Sequence, residues 1–213
     1  MKDNFIFHDE LHHVMKHDRY QHSKHGGAVL WLTGLSASGK STLAMALEAR
    51  LLRLGYSCYV LDGDTVRKGL NADLGFSAQD RGENVRRVGE VAALFADAGL
   101  ICIAALISPY RNDRARARRA CKTNFHEIYV KSDLATCEAR DPKGLYRLAR
   151  SGELEEFTGV NAPYEIPEEP EFVVDTAHTD LEECVASLLS YTTHYIPMHR
   201  DQTCAPSFNL KAN

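Results

Sequence analysis

The hydrophobic positions of this chain follow two patterns that alternate from residue 28 onward. The first is a short, nearly continuous apolar run, which is typical of a strand covered on both faces. Such runs predict strands at Ala28–Thr33, Ser57–Leu61, Leu100–Ile107, Phe125–Val130 and Glu171–Thr176. The chain therefore carries the apolar segments of a five-stranded sheet.

The second pattern places apolar residues at helical spacing between the strands. In one of these segments Val85, Val88, Ala92 and Phe95 form a single stripe. The segments predicted as helices are Lys40–Leu54, Arg81–Ala98, 111–121, Leu134–Arg140 and Asp180–Tyr195. Because strands and helices alternate, we predict a three-layer α/β fold: a mostly parallel, five-stranded sheet with helices on both faces.

Three segments depart from this alternation and leave one domain over residues 27–196. Residues 1–26 form a polar arm with six of the ten histidines. The spacing of His8 with His12, and of His13 with His17, suits metal binding on a helix, but no acidic or cysteine partner completes a ligand set, so we favour a solvated helix packed on the body. Residues 141–170 are charged and contain several glycines and prolines, which predicts a mobile lid over residues 140–160. Residues 197–213 are predicted to be a disordered tail.

Composition and charge narrow the class of protein. With 213 residues, 44% of them hydrophobic, the chain fits one globular domain. A net charge of -4 supplies no basic field that would recruit nucleic acid. No apolar run is long enough to span a bilayer, and the six cysteines form no CxxC pair. We therefore expect a cytoplasmic protein with reduced thiols and no membrane partner.

A phosphate-binding loop follows the first predicted strand and opens the first long helix. Residues 34–41, GLSASGKS, fit the pattern G-x-x-x-x-G-K-[ST]. In such a loop, backbone N–H groups converge on phosphate oxygens, the lysine reaches the β- and γ-phosphates, and the serine hydroxyl can hold Mg²⁺. The motif predicts a P-loop NTPase-type fold and binding of ATP with Mg²⁺. The predicted ATP-binding residues of the motif are Gly34, Leu35, Ser36, Ala37, Ser38, Gly39, Lys40, Ser41 and Thr42.

The type of phosphate-loop protein follows from what surrounds the loop. The sequence contains no N-K-x-D motif, which guanine-reading switches need, and no long extra domain typical of a motor. A short chain with a charged lid indicates phosphoryl transfer to a small acceptor, because a lid excludes the water that would compete for the phosphoryl group.

Charged residues after the second strand are candidates for the acceptor side. Asp62, Asp64 and Arg67 follow that strand and so lie at the carboxyl edge of the sheet, beside the phosphate loop. A carboxylate there can accept a hydroxyl proton or help to hold Mg²⁺, and an arginine can bind an anion. Arg81 and Asn84 share one face of the next helix. The competing interpretations are a helix cap for Asp62 and a solvated face for the arginines.

Six segments together make the resemblance specific. GLSASGKST, DGDTVRKGLNADLGFS, DRGENVRRVGEVA, ALISPYR, CEARDPKGLY and FTGVNAPYE are similar, in order and spacing, to the adenylylsulfate kinases of sulfate assimilation. The match runs from Gly26 to Tyr195. One departure is Ala37, where the family usually has glycine. The resemblance implies transfer of a phosphoryl group from ATP to the ribose 3′-hydroxyl of adenosine 5′-phosphosulfate, giving 3′-phosphoadenosine 5′-phosphosulfate and ADP.

The resemblance also implies roles for individual residues. It places Lys40 and Asp64 in catalysis, Ser41 and Asp64 at the metal, and Arg140 beside the adenine of ATP. Its implied acceptor-binding residues are Asp62, Asp64, Arg67, Phe76, Arg81, Asn84, Ile107, Ser108, Lys143 and Phe157. Phe76 and Phe157 would stack on the substrate adenine, although sequence alone favours two core residues. The family is typically a homodimer, and coupling to an ATP sulfurylase is a further implication.

Ser108 has two interpretations. The matching serine of the family is traditionally a phosphoserine intermediate. No residue near Ser108 in the sequence is an obvious base, whereas direct transfer needs Mg²⁺, Lys40 and Asp64 alone, so we favour a binding role.

Other functions stay open at this point. One is a kinase for another small anionic acceptor, and a second is a non-catalytic ATP-binding module that docks a partner through Glu153–Glu156. Nucleic-acid binding would use the arginines of residues 111–119, which we interpret instead as one solvated helix face.

Overall fold

The computed structural model describes residues 14–121 and 124–199. His8, His12 and His13 of the arm, together with the tail from residue 200, lie outside these residues. The helices are α1 Lys16–Ser23, α2 Lys40–Arg53, α3 Gly63–Arg67, α4 Ala78–Asp97, α5 Arg111–Ala120, α6 Leu134–Arg140, α7 Leu145–Arg150 and α8 Leu181–Tyr195. The strands are β1 Ala28–Thr33, β2 Cys58–Asp62, β3 Ile101–Ala105, β4 Phe125–Lys131 and β5 Phe172–Asp175.

The five strands form one sheet in the order β2-β3-β1-β4-β5, and every neighbouring pair is parallel. Strand β1 lies at the centre, and all six of its residues are buried. Its partners are β3, with Leu30 opposite Ile103, and β4, with Trp31 opposite Glu127. The predicted α/β fold with a parallel, five-stranded sheet is confirmed.

Alternate residues of β1 face the two helical layers. Leu30 and Leu32 belong to a core that also contains Leu47 of α2 and Leu188 of α8. Trp31 belongs to a second core, formed with α4 and α5. Because both faces of the strand are covered by apolar side chains, its sequence is continuously hydrophobic.

Two short helices were not predicted from the sequence. Helix α3 begins directly after β2, where the Asp62 carboxylate accepts a hydrogen bond from the Asp64 N–H (3.0 Å). The capping interpretation of Asp62 is therefore correct, and it coexists with a place in the site. Helix α7 lies within the predicted lid and buries Tyr146 and Ala149. These helices have five and six residues, too few for periodicity to reveal.

Two element boundaries differ from the prediction by more than one residue. Helix α4 begins three residues early, because the Ser77 hydroxyl accepts a hydrogen bond from the Asp80 N–H (3.1 Å) and so starts the helix before its apolar stripe. Strand β3 ends at Ala105, and the apolar residues Leu106 and Ile107 leave the sheet toward the functional site.

The prediction that the arginines of α5 form one solvated face is wrong at Arg114. Arg116 and Arg119 are exposed, but the Arg114 side chain is 2% exposed and pairs with Glu127 at 2.6 Å. The run of arginines therefore includes one buried cation. The charge pattern of a single sequence does not show which position of the helix turns inward.

The two ends of the described chain pack on the body. Arg19 of α1 pairs with Asp97 at the end of α4 (2.5 Å). Met198 packs against the first core, and the His199 N–H donates to the Lys24 carbonyl (2.7 Å). The five described cysteines are free and buried. No helix in the described part of the chain is long and apolar enough to cross a membrane.

Candidate active site

A cavity of about 1050 Å³ lies at the carboxyl ends of β1, β2 and β3. Nearly all of the residues predicted for the ATP, acceptor and metal sites line it. The exceptions are Gly34, Leu35 and Ser38, three residues of the phosphate loop that do not line the cavity. The fold therefore brings residues from five separate segments to one cavity, at the sheet edge where parallel α/β proteins bind ligands.

Two glycines shape the phosphate loop. A Cβ atom at Gly34 would lie 2.5 Å from the Val130 carbonyl oxygen, so a side chain there would push the loop away from β4. Gly39 has φ +92°, a left-handed conformation, directly before α2 begins at Lys40. The loop thus curls around the amino-terminal end of α2, where the unpaired N–H groups and the helix dipole favour anions.

Lys40 lies at the centre of this loop. Its Nζ donates to the carbonyl oxygens of Gly34 (3.0 Å) and Leu35 (2.6 Å), and the residue is 8% exposed. Burial, as the largest cause, lowers the pKa of Lys40 to about 8. A nearby anion would favour the charged form further, so the charge state of this lysine is coupled to phosphate binding.

Ala37 adopts φ +58° in the same loop. A left-handed conformation costs a residue with a Cβ atom about 1–2 kcal/mol, which explains why glycine suits this position. The Ala37 side chain also packs against a small core that contains Tyr146 and Phe157 of the lid region.

Oxygen ligands converge at the start of α2. The Ser41 hydroxyl donates to the Asp62 carboxylate at 2.5 Å, and both residues line the cavity. A hydroxyl and a carboxylate are oxygen donors of the kind that Mg²⁺ prefers. The neighbouring Asp64 is instead paired with Lys143 of the lid region.

Arg67 and Arg81 both contact the loop that carries Phe76. Arg67 donates to the Leu74 and Gly75 carbonyls (3.1 and 2.8 Å), and its guanidinium carbon lies 4.3 Å from the Phe76 ring centroid. Arg81 donates to the Phe76 carbonyl (2.8 Å) and, across the cavity, to the Glu156 carbonyl (2.7 Å). The arginines therefore position this loop and the lid region, besides presenting positive charge to the cavity.

The two phenylalanines have different surroundings. Phe76 is 56% exposed, although it lines the cavity, so it is no core residue. Phe157 is 6% exposed and packs edge-on against Tyr146, with 4.9 Å between ring centroids. The Tyr146 hydroxyl in turn donates to the Ser36 carbonyl (3.0 Å), which connects Phe157 to the phosphate loop.

Ser108 is buried in the β3 loop, residues 106–110 between β3 and α5, and has φ +39°. Its hydroxyl oxygen accepts a hydrogen bond from Trp31 Nε1 at 3.1 Å. Its carbonyl accepts one from Arg114 (2.8 Å). A donor on the hydroxyl oxygen withdraws electron density, which is the opposite of the activation that a nucleophilic serine needs.

Sequence reasoning missed several residues of the site. Thr176, after β5, donates through its hydroxyl to the Ser38 carbonyl (2.8 Å) and accepts at its carbonyl from Arg140. Thr179 and Asp180 of the same loop and Leu181 at the start of α8 also line the cavity. The signal was available, because this loop also leaves the carboxyl edge of the sheet. Asn71 does not line the cavity, but it is fully buried and donates at 2.9 Å to the side chain of Asn84, which does.

A phosphate loop on a central parallel strand, with arginines and phenylalanines lining the same cavity, is the arrangement of a phosphate-loop kinase. The model of the adenylylsulphate kinase family matches residues 26–175. An adenylyl-sulfate kinase of Geotalea daltonii is 55% identical over 189 residues, which are 88% of this chain and 92% of that protein. The chain belongs to the adenylylsulphate kinase family, and the prediction of a kinase is confirmed.

Solved structures agree with this family membership. The APS kinase of Mycobacterium tuberculosis in complex with AMPPNP and APS has a TM-score of 0.75 and 45% identity, over 78% of this chain and 96% of that one. A hexameric APS kinase from Thiobacillus denitrificans has a TM-score of 0.63 and 36% identity, over 81% of this chain and 30% of that one.

Proposed function

We propose that this adenylylsulphate kinase transfers the γ-phosphoryl group of ATP to the ribose 3′-hydroxyl of adenosine 5′-phosphosulfate within the cavity described above. The observation that carries the proposal is that one cavity of about 1050 Å³ joins the phosphate loop to the Asp64, Arg67, Phe76 and Phe157 set. Such a volume accommodates two nucleotides in contact, and in-line transfer requires that contact.

At the ATP end, the loop from Gly34 to Ser41 binds the triphosphate through its backbone N–H groups and the start of α2. Lys40 supplies charge to the β- and γ-phosphates, and Arg140 contacts the adenine. Ser41 and Asp62 would hold Mg²⁺, with Asp64 near them, because these oxygens meet at the cavity wall. When bound, the ion neutralises charge on the phosphates.

At the acceptor end, Phe76 and Phe157 stack on the adenine, and Arg67, Arg81 and Asn84 bind the phosphosulfate and the ribose. Stacking on an aromatic side chain contributes about 1–3 kcal/mol per base. The similarity to a structure in complex with AMPPNP and APS supports this placement.

Asp64 accepts the proton of the 3′-hydroxyl as that oxygen attacks the γ-phosphorus, while the bond from the γ-phosphorus to the β,γ-bridging oxygen breaks and ADP leaves. Its pairing with Lys143 places a cation of the lid region next to the reacting groups, where it offsets developing negative charge. Residues 140–160 close over both substrates and exclude water.

Phosphoryl transfer is direct, and Ser108 binds the acceptor without becoming phosphorylated. The hydrogen bond from Trp31 to its oxygen supports this choice, since it opposes nucleophilic attack. Ser108 and Ile107 instead form the floor of the acceptor region.

The chain works as a homo-oligomer, with the dimer as the expected unit. The hexameric relative from Thiobacillus denitrificans supports self-association in this family. Coupling to an ATP sulfurylase, which would supply the acceptor, is part of the same proposal.

The test of this function is a panel of acceptors. Turnover should be fastest with adenosine 5′-phosphosulfate and low with AMP or hydroxy acids. Asp64→Asn should lower kcat by roughly 10²–10⁴, the usual effect of losing a positioned base. Arg67→Ala and Phe76→Ala should raise the acceptor KM and spare the ATP KM. Faster turnover of another anionic acceptor, or normal kcat in Asp64→Asn, would favour a kinase with a different substrate.

A further inference from the structure

Arg114 is a buried cation that does not reach the cavity. Its side chain is 2% exposed, and its guanidinium donates in three directions. Nε bonds the Glu127 carboxylate of β4 at 2.6 Å. The two terminal nitrogens bond the Ser108 and Glu165 carbonyls, each at 2.8 Å. A buried charge destabilises a protein unless it is fully paired, and each of these three contacts pairs Arg114 with a different element of the fold.

The Ser108 carbonyl belongs to a strained turn, the Ile107–Ser108 turn, which lines the proposed acceptor region. Ser108 has φ +39° and precedes Pro109, and a residue before proline prefers an extended backbone. Strain of this kind persists when its surroundings hold it. Thr33 supports the same turn by donating to the Ile107 carbonyl (2.7 Å). Ile107 and Ser108 both line the cavity, so the direction of this turn sets the floor of the acceptor region.

The second carbonyl belongs to the segment that follows the lid. The Glu165 N–H donates to the Pro109 carbonyl (2.8 Å), and the Glu165 carboxylate accepts from the Arg111 N–H (2.7 Å). Tyr164, next to it, is within 3.0 Å of the Thr33 hydroxyl. This segment is therefore fastened to the Ser108 turn, and Phe157 lies a few residues before it in the chain.

Arginine suits such a junction because its planar fork offers five N–H groups in fixed directions. A lysine ammonium at the same place cannot reach a carboxylate on one strand and two carbonyls on separate loops with the same geometry. The guanidinium thus connects three elements: the sheet, the acceptor turn and the end of the lid.

Resting on the acceptor site proposed above, we propose that Arg114 is a positioning residue of the kinase. It fixes the position of the Ile107–Ser108 turn relative to the segment at Glu165. In that arrangement Ser108 and Phe157 can contact the acceptor at the same time. Its loss should therefore weaken acceptor binding while sparing ATP, whose loop leads into α2 on the opposite face of the sheet from α5.

The test compares Arg114→Lys with the double variant Arg114→Met/Glu127→Gln. The double variant removes both charges and so leaves no unpaired carboxylate in the interior, which keeps the protein folded if the single variant does not fold. In both we expect the KM for adenosine 5′-phosphosulfate to rise roughly ten- to hundredfold, the scale of a small misplacement of substrate, with the ATP KM changed by less than about twofold.

Two control variants separate positioning from general damage. Arg116→Met removes an exposed arginine from the same helix, and Leu188→Ala lowers the melting temperature through a cavity in the other core. Both should keep the wild-type KM for each substrate.

The measurements distinguish a failure of the positioning role of Arg114 from a failure of the proposed function. Wild-type turnover of adenosine 5′-phosphosulfate is measured first, since its failure would count against the proposed function. With that turnover present, a wild-type acceptor KM in the folded double variant would overturn the positioning role. An equal rise in the ATP KM, or the same acceptor effect in Leu188→Ala, would overturn it too.

Discussion

Replacing Ser108 by alanine should lower the melting temperature of the protein measurably while leaving most of its turnover intact. Ser108 is 3% exposed, and its hydroxyl accepts the hydrogen bond of the Trp31 indole N–H at 3.1 Å, which is itself buried. Alanine leaves that N–H without its acceptor, and an unsatisfied buried donor costs about 1–3 kcal/mol. For a chain of this length, 1 kcal/mol corresponds to roughly 2–4 °C, so the melting temperature should fall by about 2–12 °C.

A double-mutant cycle isolates this hydrogen bond. Trp31→Phe removes the donor, so Ser108→Ala should cost less in the Trp31→Phe background, with a coupling energy of about 1 kcal/mol. Ser108→Gly loses the same hydrogen bond but relieves φ +39°, so it should be about 1 kcal/mol more stable than Ser108→Ala. Equal stabilities for alanine and glycine, or no coupling with Trp31, would refute this account of the turn.

Activity measurements on the same variant decide between direct and covalent transfer. Ser108→Ala should keep a kcat within about tenfold of wild type, with a higher acceptor KM, because it removes a contact and no bond-forming group. Wild-type enzyme mixed with radiolabelled ATP and no acceptor should stay unlabelled. A stoichiometric label on Ser108 that passes into product would refute direct transfer and restore the phosphoserine route.

Three further predictions come from titration and strain. Burial lowers the pKa of Lys40 to about 8, and bound phosphates favour its charged form. Calorimetry should therefore show ATP affinity falling as the pH rises above about 8. The Lys40→Ala variant should stay folded but lose both this pH dependence and turnover. Ala37→Gly should raise the melting temperature by about 2–4 °C with unchanged kcat, because glycine relieves φ +58°; a lower melting temperature would contradict the strain. Burial also lowers the pKa of His25, whose Nε2 accepts from the Ser57 N–H (2.9 Å). As the pH falls, His25 is protonated in the unfolded chain before it is protonated in the folded protein. The contribution of neutral His25 to the stability of the fold should therefore be fully present above pH 6.5 and decrease below it, as measured by thermal melts. The His25→Asn variant should show a weaker decrease.

Much of the fold was predictable because its signals are local. A strand buried on both faces has to be apolar at every position, and β1 is. The phosphate loop is recognisable because it needs glycines where the backbone turns left-handed or approaches a neighbour, as Gly39 and Gly34 do. Parallel strands then carry the segments after β1, β2 and β3 to one edge, so the approximate place of the site also followed from the sequence.

The missed elements are those whose signals are too short or depend on their surroundings. Helices α3 and α7 contain too few residues to establish a period, and they form because Asp62 caps one and Tyr146 anchors the other. Phe76 and Phe157 illustrate the same limit, since sequence favoured two core residues and the structure exposes one of them.

The amino-acid sequence by itself determined the layered fold, the phosphate loop and the family, since each depends on residue types at fixed, short spacing. Tertiary structure decided how the proposed acceptor region is held. Trp31 and Ser108 are 77 residues apart, and Arg114 joins segments from β4, the β3 loop and the end of the lid. In a sequence, Arg114 is one of several arginines on a charged helix. It becomes a buried junction because the packing of α5 against the sheet turns that one position inward, where the side chain is shielded from solvent and its donors bond protein acceptors.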